Sequence, residues 1–135
     1  MTTEASQTPI KILIAEDERD IRELVGFTLT FGGYRVVEAA NGREAVEKAS
    51  EEKPDLIILD VRMPKLTGYQ ACEALKGMEE TKHIPVAFLS AKGQESEVQQ
   101  GMQMGAIAYI LKPFAPEDLL AQITSLVKNA GVARQ

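Results

Sequence analysis

Five short apolar runs punctuate the chain: Ile10 to Ala15, Tyr34 to Ala39, Leu56 to Leu59, Pro85 to Leu89, and Ala108 to Leu111. Polar segments with helical spacing separate them. After the first run, Ile21, Leu24, Val25, Thr28 and Leu29 form an i, i+3, i+4 stripe that stops at Gly32-Gly33. Asn41 is placed to cap a second helix with Ala45, Val46 and Ala49 on its inner face. A third helix opens near Gly68 and offers Ala71, Leu75 and Met78. The fourth, about Glu95 to Met104, has only Val98 and Met102 as large apolar residues and is interrupted by Gly101. The last begins at Pro116, a favoured first-turn proline, and carries Leu119, Leu120, Ile123, Leu126 and Val127.

A five-fold alternation of strand and helix predicts an α/β fold, a parallel sheet covered on both faces. "LIIL" and "VAFL" are apolar throughout, as strands buried on both sides must be. In open sheets of this kind ligands bind beyond the carboxyl ends of the strands, so function is sought where each run stops. The first run stops at Glu16-Asp17-Glu18, the third at Asp60, the fourth at Ser90, and the fifth at Lys112-Pro113.

Taken singly, these groups have plain explanations. "EDE" before a helix complements the helix dipole, and an aspartate after a strand is an ordinary turn residue. Together, four of the five strand ends carry polar groups that would converge on one crevice. Carboxylates packed there repel one another unless a cation lies among them. Mg²⁺ suits a shallow site with two or three protein oxygens, whereas Ca²⁺ wants more ligands. Lys112 then offers a charge for an anion and Ser90 a donor, a set that describes a site for a phosphoryl group.

Composition narrows the classes. The chain has 135 residues, enough for one domain with its own core, 15 basic against 20 acidic side chains and a formal charge of −5. That balance argues against sequence-independent nucleic-acid binding. The single cysteine, Cys72, cannot form an internal disulfide, which fits a reducing compartment. "MTTEASQTP" has no signal-peptide pattern, and no apolar run approaches the roughly 20 residues that span a bilayer. The expectation is a cytoplasmic domain that engages no membrane.

The motifs "ILIAEDERDIRELV", "PDLIILDVRMPKLTGYQ", "VAFLSAKG" and "GAIAYILKPF", in that order from Ile12 to Val127, resemble the receiver domains of two-component response regulators. The resemblance implies a flavodoxin-like, doubly wound (βα)5 three-layer sandwich with strand order 2-1-3-4-5. It implies a receiver domain over 10–129, with tails at 1–9 and 130–135. Asp60 would be the phosphoacceptor, held rigidly at the end of a buried strand. Its carboxylate would attack a phosphohistidine on a sensor histidine kinase or a phosphotransfer protein. Asp17 would ligate Mg²⁺ directly and Glu16 through water, with Asp60 and the backbone carbonyl of Arg62 completing the protein ligands. Lys112 would pair with the phosphoryl oxygens. Ser90 and Tyr109 would form the switch, Ser90 donating to the phosphoryl group and Tyr109 rotating into the space vacated. Lys112-Pro113 is expected to be cis.

The same resemblance implies a cytoplasmic phosphoacceptor switch that catalyses only its own phosphotransfer and autodephosphorylation. It would act on a downstream protein rather than on nucleic acid directly, with a phosphorylation-dependent dimer through the fourth helix, fifth strand and last helix as one option. The Met1 start and charged tail favour a stand-alone receiver over the N-terminal part of a DNA-binding or enzymatic regulator. Two departures stand out. Glu16 occupies a place where the family more often has Asp, and cations, Arg62 and Lys92, flank the path of an attacking water. These cations are expected to lengthen the life of the aspartyl phosphate.

Two other classes are weighed. A haloacid-dehalogenase-like phosphohydrolase needs a second aspartate two residues after the nucleophile, where Arg62 stands. A flavin or nucleotide binder needs a phosphate-cradling loop after the first strand, where "EDE" would repel phosphate. His83 is read as an exposed loop residue, Cys72 as half-buried packing, and Met102 and Met104 as helix packing. Ile107 is either core rim or an apolar anchor on the fifth-strand face.

Overall fold

The computed structural model describes residues 9–91 and 95–131, and for 95–98 the backbone alone. Strands β1 (Lys11–Ala15), β2 (Arg35–Ala39), β3 (Leu56–Asp60), β4 (Val86–Ser90) and β5 (Ala108–Leu111) alternate with helices α1 (Arg19–Phe31), α2 (Gly42–Glu52), α3 (Gly68–Lys76), α4 (Glu95–Gln103) and α5 (Pro116–Asn129). All pairings are parallel and the strand order is β2-β1-β3-β4-β5, the expected doubly wound topology. The strands fall within a residue of the apolar runs.

Side-chain alternation along each strand divides the core into two. Ile12, Ile14, Leu56, Ile58, Ala87, Leu89 and Ile110 face Val25 and Leu29 of α1 and Leu119, Ile123 and Val127 of α5. Leu13, Ala15, Ile57, Leu59, Val86 and Phe88 face Ala45 and Ala49 of α2 and Ala71, Cys72 and Leu75 of α3. β3 and β4 are buried at every position, which is why their sequence shows no alternation of polarity.

The helix boundaries follow from local chemistry. Asn41 caps α2, its Oδ1 accepting from the Glu44 amide at 2.9 Å. α3 begins in a capping box: the Gln70 amide donates to Thr67 Oγ1, and the Thr67 amide donates to Gln70 Oε1. Three packing expectations change. Cys72 is fully buried, its thiol donating to the Met104 carbonyl at 3.5 Å, because α3 turns it toward the sheet rather than along the rim. Met102 is 45% exposed, while Met104, just past α4, packs on the core. Leu24, in the expected α1 stripe, lies at the edge of the buried arc and stays exposed, beside Phe27 and Phe31 at 74% and 83%. Met78 falls beyond the end of α3, and His83 is exposed in the turn before β4.

The link from β3 to α3 is tight. The Gly68 amide donates to the Val61 carbonyl at 2.9 Å, and a Cβ at Gly68 would lie 2.3 Å from the Asp60 carbonyl oxygen. Backbone cannot swing aside as a side-chain tip can, so only glycine lets α3 begin so close to the end of β3. At Gly77, which caps α3 with φ −89°, a Cβ would meet nothing nearer than 3.5 Å. We expect Gly68→Ala to destabilise the domain by about 1–3 kcal/mol, as overpacking does. Gly77→Ala should stabilise it by about 0.4–1 kcal/mol through the unfolded chain. Urea melts of the two variants check both signs.

Candidate functional site

Strand register assembles the site. Ala15 pairs with Leu59, so Glu16 and Asp60 are the next residues on adjacent strands. Ser90 pairs with Leu111, and the Lys112 amide continues the ladder by donating to the Ser90 carbonyl at 2.7 Å. Glu16, Asp60 and Lys112 share the phase of Ile14, Ile58 and Ile110, so alternation turns all three side chains the same way. Ser90 takes the phase of Phe88, with Tyr109 beside it. The crevice at this edge is lined by Asp17, Glu18, Asp60, Val61, Arg62, Ser90, Ala91 and Lys112.

At its floor one ammonium serves two carboxylates. Lys112 Nζ lies 2.9 Å from Asp60 Oδ1 and 3.1 Å from Glu16 Oε1. Glu16 is fully buried and Asp60 is 3% exposed. Glu16 Oε2 also accepts from the Glu18 amide at 3.1 Å. Burial pushes the Asp60 carboxyl above its ordinary value, the Lys112 bond and charge pull it back, and the Asp17 charge adds to the rise. Burial likewise raises Glu16; the Glu18 amide and Lys112 oppose the rise, and the Asp60 charge reinforces it. For Lys112 burial works against the charge, but its bonds to Asp60 and Glu16 outweigh burial and hold it above the usual lysine value.

Glu16, Asp17 and Asp60 each present a carboxylate oxygen, and the three oxygens lie within 4.8 Å of one another. Two are buried and Asp17 is exposed, so the cluster opens to solvent on one side. Hard, anionic oxygens in this arrangement fit a small divalent cation that keeps some of its water.

Each described residue expected in the site is found at this edge of the sheet. Arg62 lies exposed on the crevice wall; Lys92 lies outside the described residues. Tyr109 stands next to the site on the other face, and Lys112-Pro113 is cis. Two contributors are absent from the sequence reading. Tyr69 Oη lies 2.9 Å from Tyr109 Oη, and both rings pack on Phe88, with centroids at 5.0 and 6.0 Å. Arg22 Nη1 donates to the Glu16 carbonyl at 2.9 Å. A tyrosine directly after the helix-opening glycine, and an arginine six residues past an acidic strand end, were the available signals.

The raised carboxyls have a consequence for stability. A folded-state pKa above the unfolded value means the folded chain binds more protons, so stability falls as pH rises through the folded value. Asp60→Asn removes that dependence at one position. In chelator it should be more stable than the parent at pH 7, with the advantage shrinking as the medium is acidified. Added Mg²⁺ should raise the melting temperature of the parent and leave Asp60→Asn nearly unmoved. Thermal melts across pH, with and without the metal, read both effects.

Comparison with known proteins agrees with this geometry. The family model for the response regulator receiver domain matches residues 12–124. The alkaline phosphatase synthesis transcriptional regulatory protein PhoP of Bacillus subtilis is 38% identical over 123 residues, covering 91% of this chain and 50% of PhoP. The phosphate regulon transcriptional regulatory protein PhoB of Escherichia coli is 42% identical over 119 residues, covering 88% of this chain and 48% of PhoB. The chain thus spans about half the length of these curated relatives. The chemotaxis response regulator CheY4 of Vibrio cholerae superposes with a TM-score of 0.84 at 37% identity, covering 88% of this chain and 99% of CheY4. With its strand order, acidic crevice and sequence all in agreement, the chain belongs to the response regulator receiver domains, a family of phosphoacceptor switches.

Proposed function

We propose that Asp60 is the phosphoacceptor of this receiver, with Lys112 and Ser90 as its partners in the transfer. The observation that carries this reading is the buried Asp60 carboxylate at a strand end, paired to Lys112 at 2.9 Å and open to the crevice. An Asp60 oxygen attacks phosphorus of a phosphohistidine; the new P–O bond forms as the P–N bond breaks, and the departing imidazole takes up a proton. Glu16, Asp17, Asp60 and the Arg62 carbonyl would hold Mg²⁺, which when bound supplies positive charge beside the transferring group. Lys112 exchanges its contact with the Asp60 carboxylate for the phosphoryl oxygens, and the Ser90 hydroxyl donates to the same group. The donor is a sensor kinase or a phosphotransfer protein, and the target is a downstream protein met through the α4–β5–α5 face. Met102, Ile107 and Leu111 leave apolar surface exposed there, which also suits a phosphorylation-dependent dimer. The domain extends over 10–129, since α5 packs to its last turn through Val127. A cytoplasmic site of action fits this chemistry, and among the described residues no helix is long and apolar enough to cross a membrane.

Incubation with Mg²⁺ and acetyl phosphate tests the reading by intact mass. One added phosphoryl group is expected on the parent chain and none on Asp60→Asn. Continuous release of inorganic phosphate without an adduct would favour a phosphohydrolase instead. Arg62 places a cation on the crevice wall that has no acceptor for an attacking water's proton, so the adduct should decay slowly and Arg62→Asn should shorten its life.

The switch couples to Tyr109 through the second core. Phosphoryl-bound Ser90 draws in the end of β4, and Tyr109, packed at a tilt against Phe88 two residues back, follows. The Tyr69 hydroxyl ties Tyr109 to α3 in the present state. Removing that tie should favour the switched state, by about 0.5–1.5 kcal/mol for one hydrogen bond. Tyr69→Phe is therefore expected to take up beryllofluoride several-fold more tightly than the parent, and an unchanged titration would remove Tyr69 from the switch.

A further inference from the structure

The geometry points to Arg22, backed by Glu38 and Gly26, as the positioning residue that sets the acidic loop for its cation. This rests on the proposed Mg²⁺ role of Glu16 and Asp17 and goes beyond it to residues that touch neither the phosphoryl group nor the metal.

Glu16 and Asp17 lie in the link between β1 and α1, and carboxylates there can share a cation only if the backbone beneath them is held. The Glu16 amide is tied by donating to the Ala39 carbonyl at 3.0 Å. Its carbonyl is tied by Arg22, whose Nη1 donates at 2.9 Å from the first turn of α1. With amide and carbonyl both fixed, the Glu16 side chain has a defined departure from the backbone, and Asp17 a defined peptide plane. Arg22 is held in turn, its Nε lying 3.4 Å from Glu38 Oε1 on β2.

Glu38 can reach that position because α1 has no side chain at residue 26. A Cβ at Gly26 would lie 2.7 Å from Glu38 Oε2, inside contact distance. Gly26 thus makes room for Glu38, Glu38 steadies Arg22, and Arg22 fixes the Glu16 backbone beside Lys112 and Asp60. Outer groups that orient ligands commonly change metal affinity about tenfold or more when lost.

Charge and positioning predict opposite signs. As a charge alone, the Arg22 guanidinium repels a cation from the crevice, so Arg22→Gln would tighten Mg²⁺ binding. As a positioning group it keeps the ligands in place, so the same change weakens binding. Gly26→Ala alters no charge and displaces only the tip of a flexible side chain, yet it should weaken binding as well.

Calorimetric titration of the full chain with Mg²⁺ alone is the experiment, with melting temperatures in chelator confirming that each variant is folded. Expected is a dissociation constant about tenfold higher for Arg22→Gln, a smaller rise in the same direction for Gly26→Ala and Glu38→Gln, and no further loss when Gly26→Ala is added to Arg22→Gln. Arg19→Gln, which removes an exposed cation of α1 paired to Glu23, should show no weakening. Unchanged or tighter binding in Arg22→Gln, or losses that add independently, would overturn the assignment. A parent chain that takes up no Mg²⁺ would defeat the proposed metal role and this inference with it. A binding parent matched by all its variants would defeat the inference alone.

Discussion

Everything at the strand ends depends on one ammonium group lying between two carboxylates that have almost no access to water. Glu16 and Asp60 occupy adjacent positions at the end of the sheet, and burial there disfavours the charge on both. Lys112 makes that burial tolerable, and it does so from a strand two places away from Asp60 in the sheet. Parallel pairing in register is therefore a condition of the chemistry: a one-residue slip of β5 would turn the lysine to the other face and leave two buried acids without their cation. The arrangement is also poised for exchange. A cation with stronger demand for oxygen, or an anion arriving on Asp60, changes which charges the lysine must balance.

Much of this was legible in the sequence because two periodicities carried it. The apolar runs marked the strands, and the residue at which each run stopped named Glu16, Asp60, Ser90 and Lys112 before any coordinate did. The resemblance supplied the strand order, which periodicity alone could not. Less legible were contacts that depend on how elements meet. Cys72 lies on α3 where a half-turn of phase separates rim from core, and the helix turns it wholly inward, its thiol donating to the Met104 carbonyl. Met102 and Met104 are two residues apart and differ in burial, because α4 ends between them. Tyr69 and Tyr109 are forty positions apart and meet only because both lie against Phe88. No local pattern announces such a pair.

Arg22 illustrates a third kind of information. Its charge, its place on α1 and the glycine one turn later can all be read from the letters, but each has an ordinary explanation in isolation. Meaning comes from a hydrogen bond to a backbone carbonyl, a contact that side-chain chemistry does not specify and spacing does not encode.

The alternation of side chains across the central sheet has one more implication. Glu16, Asp60 and Lys112 emerge toward α1 and α5, whereas Ser90, Phe88 and Tyr109 belong to the layer beneath α2, α3 and α4. The β-sheet thus stands between two layers, with the buried ion-paired groups on one side and the packed rings on the other, and they approach each other where β4 and β5 run out. Under the proposed function, substitutions around Asp60 can accumulate in one layer while the tyrosine pair of the other is left undisturbed.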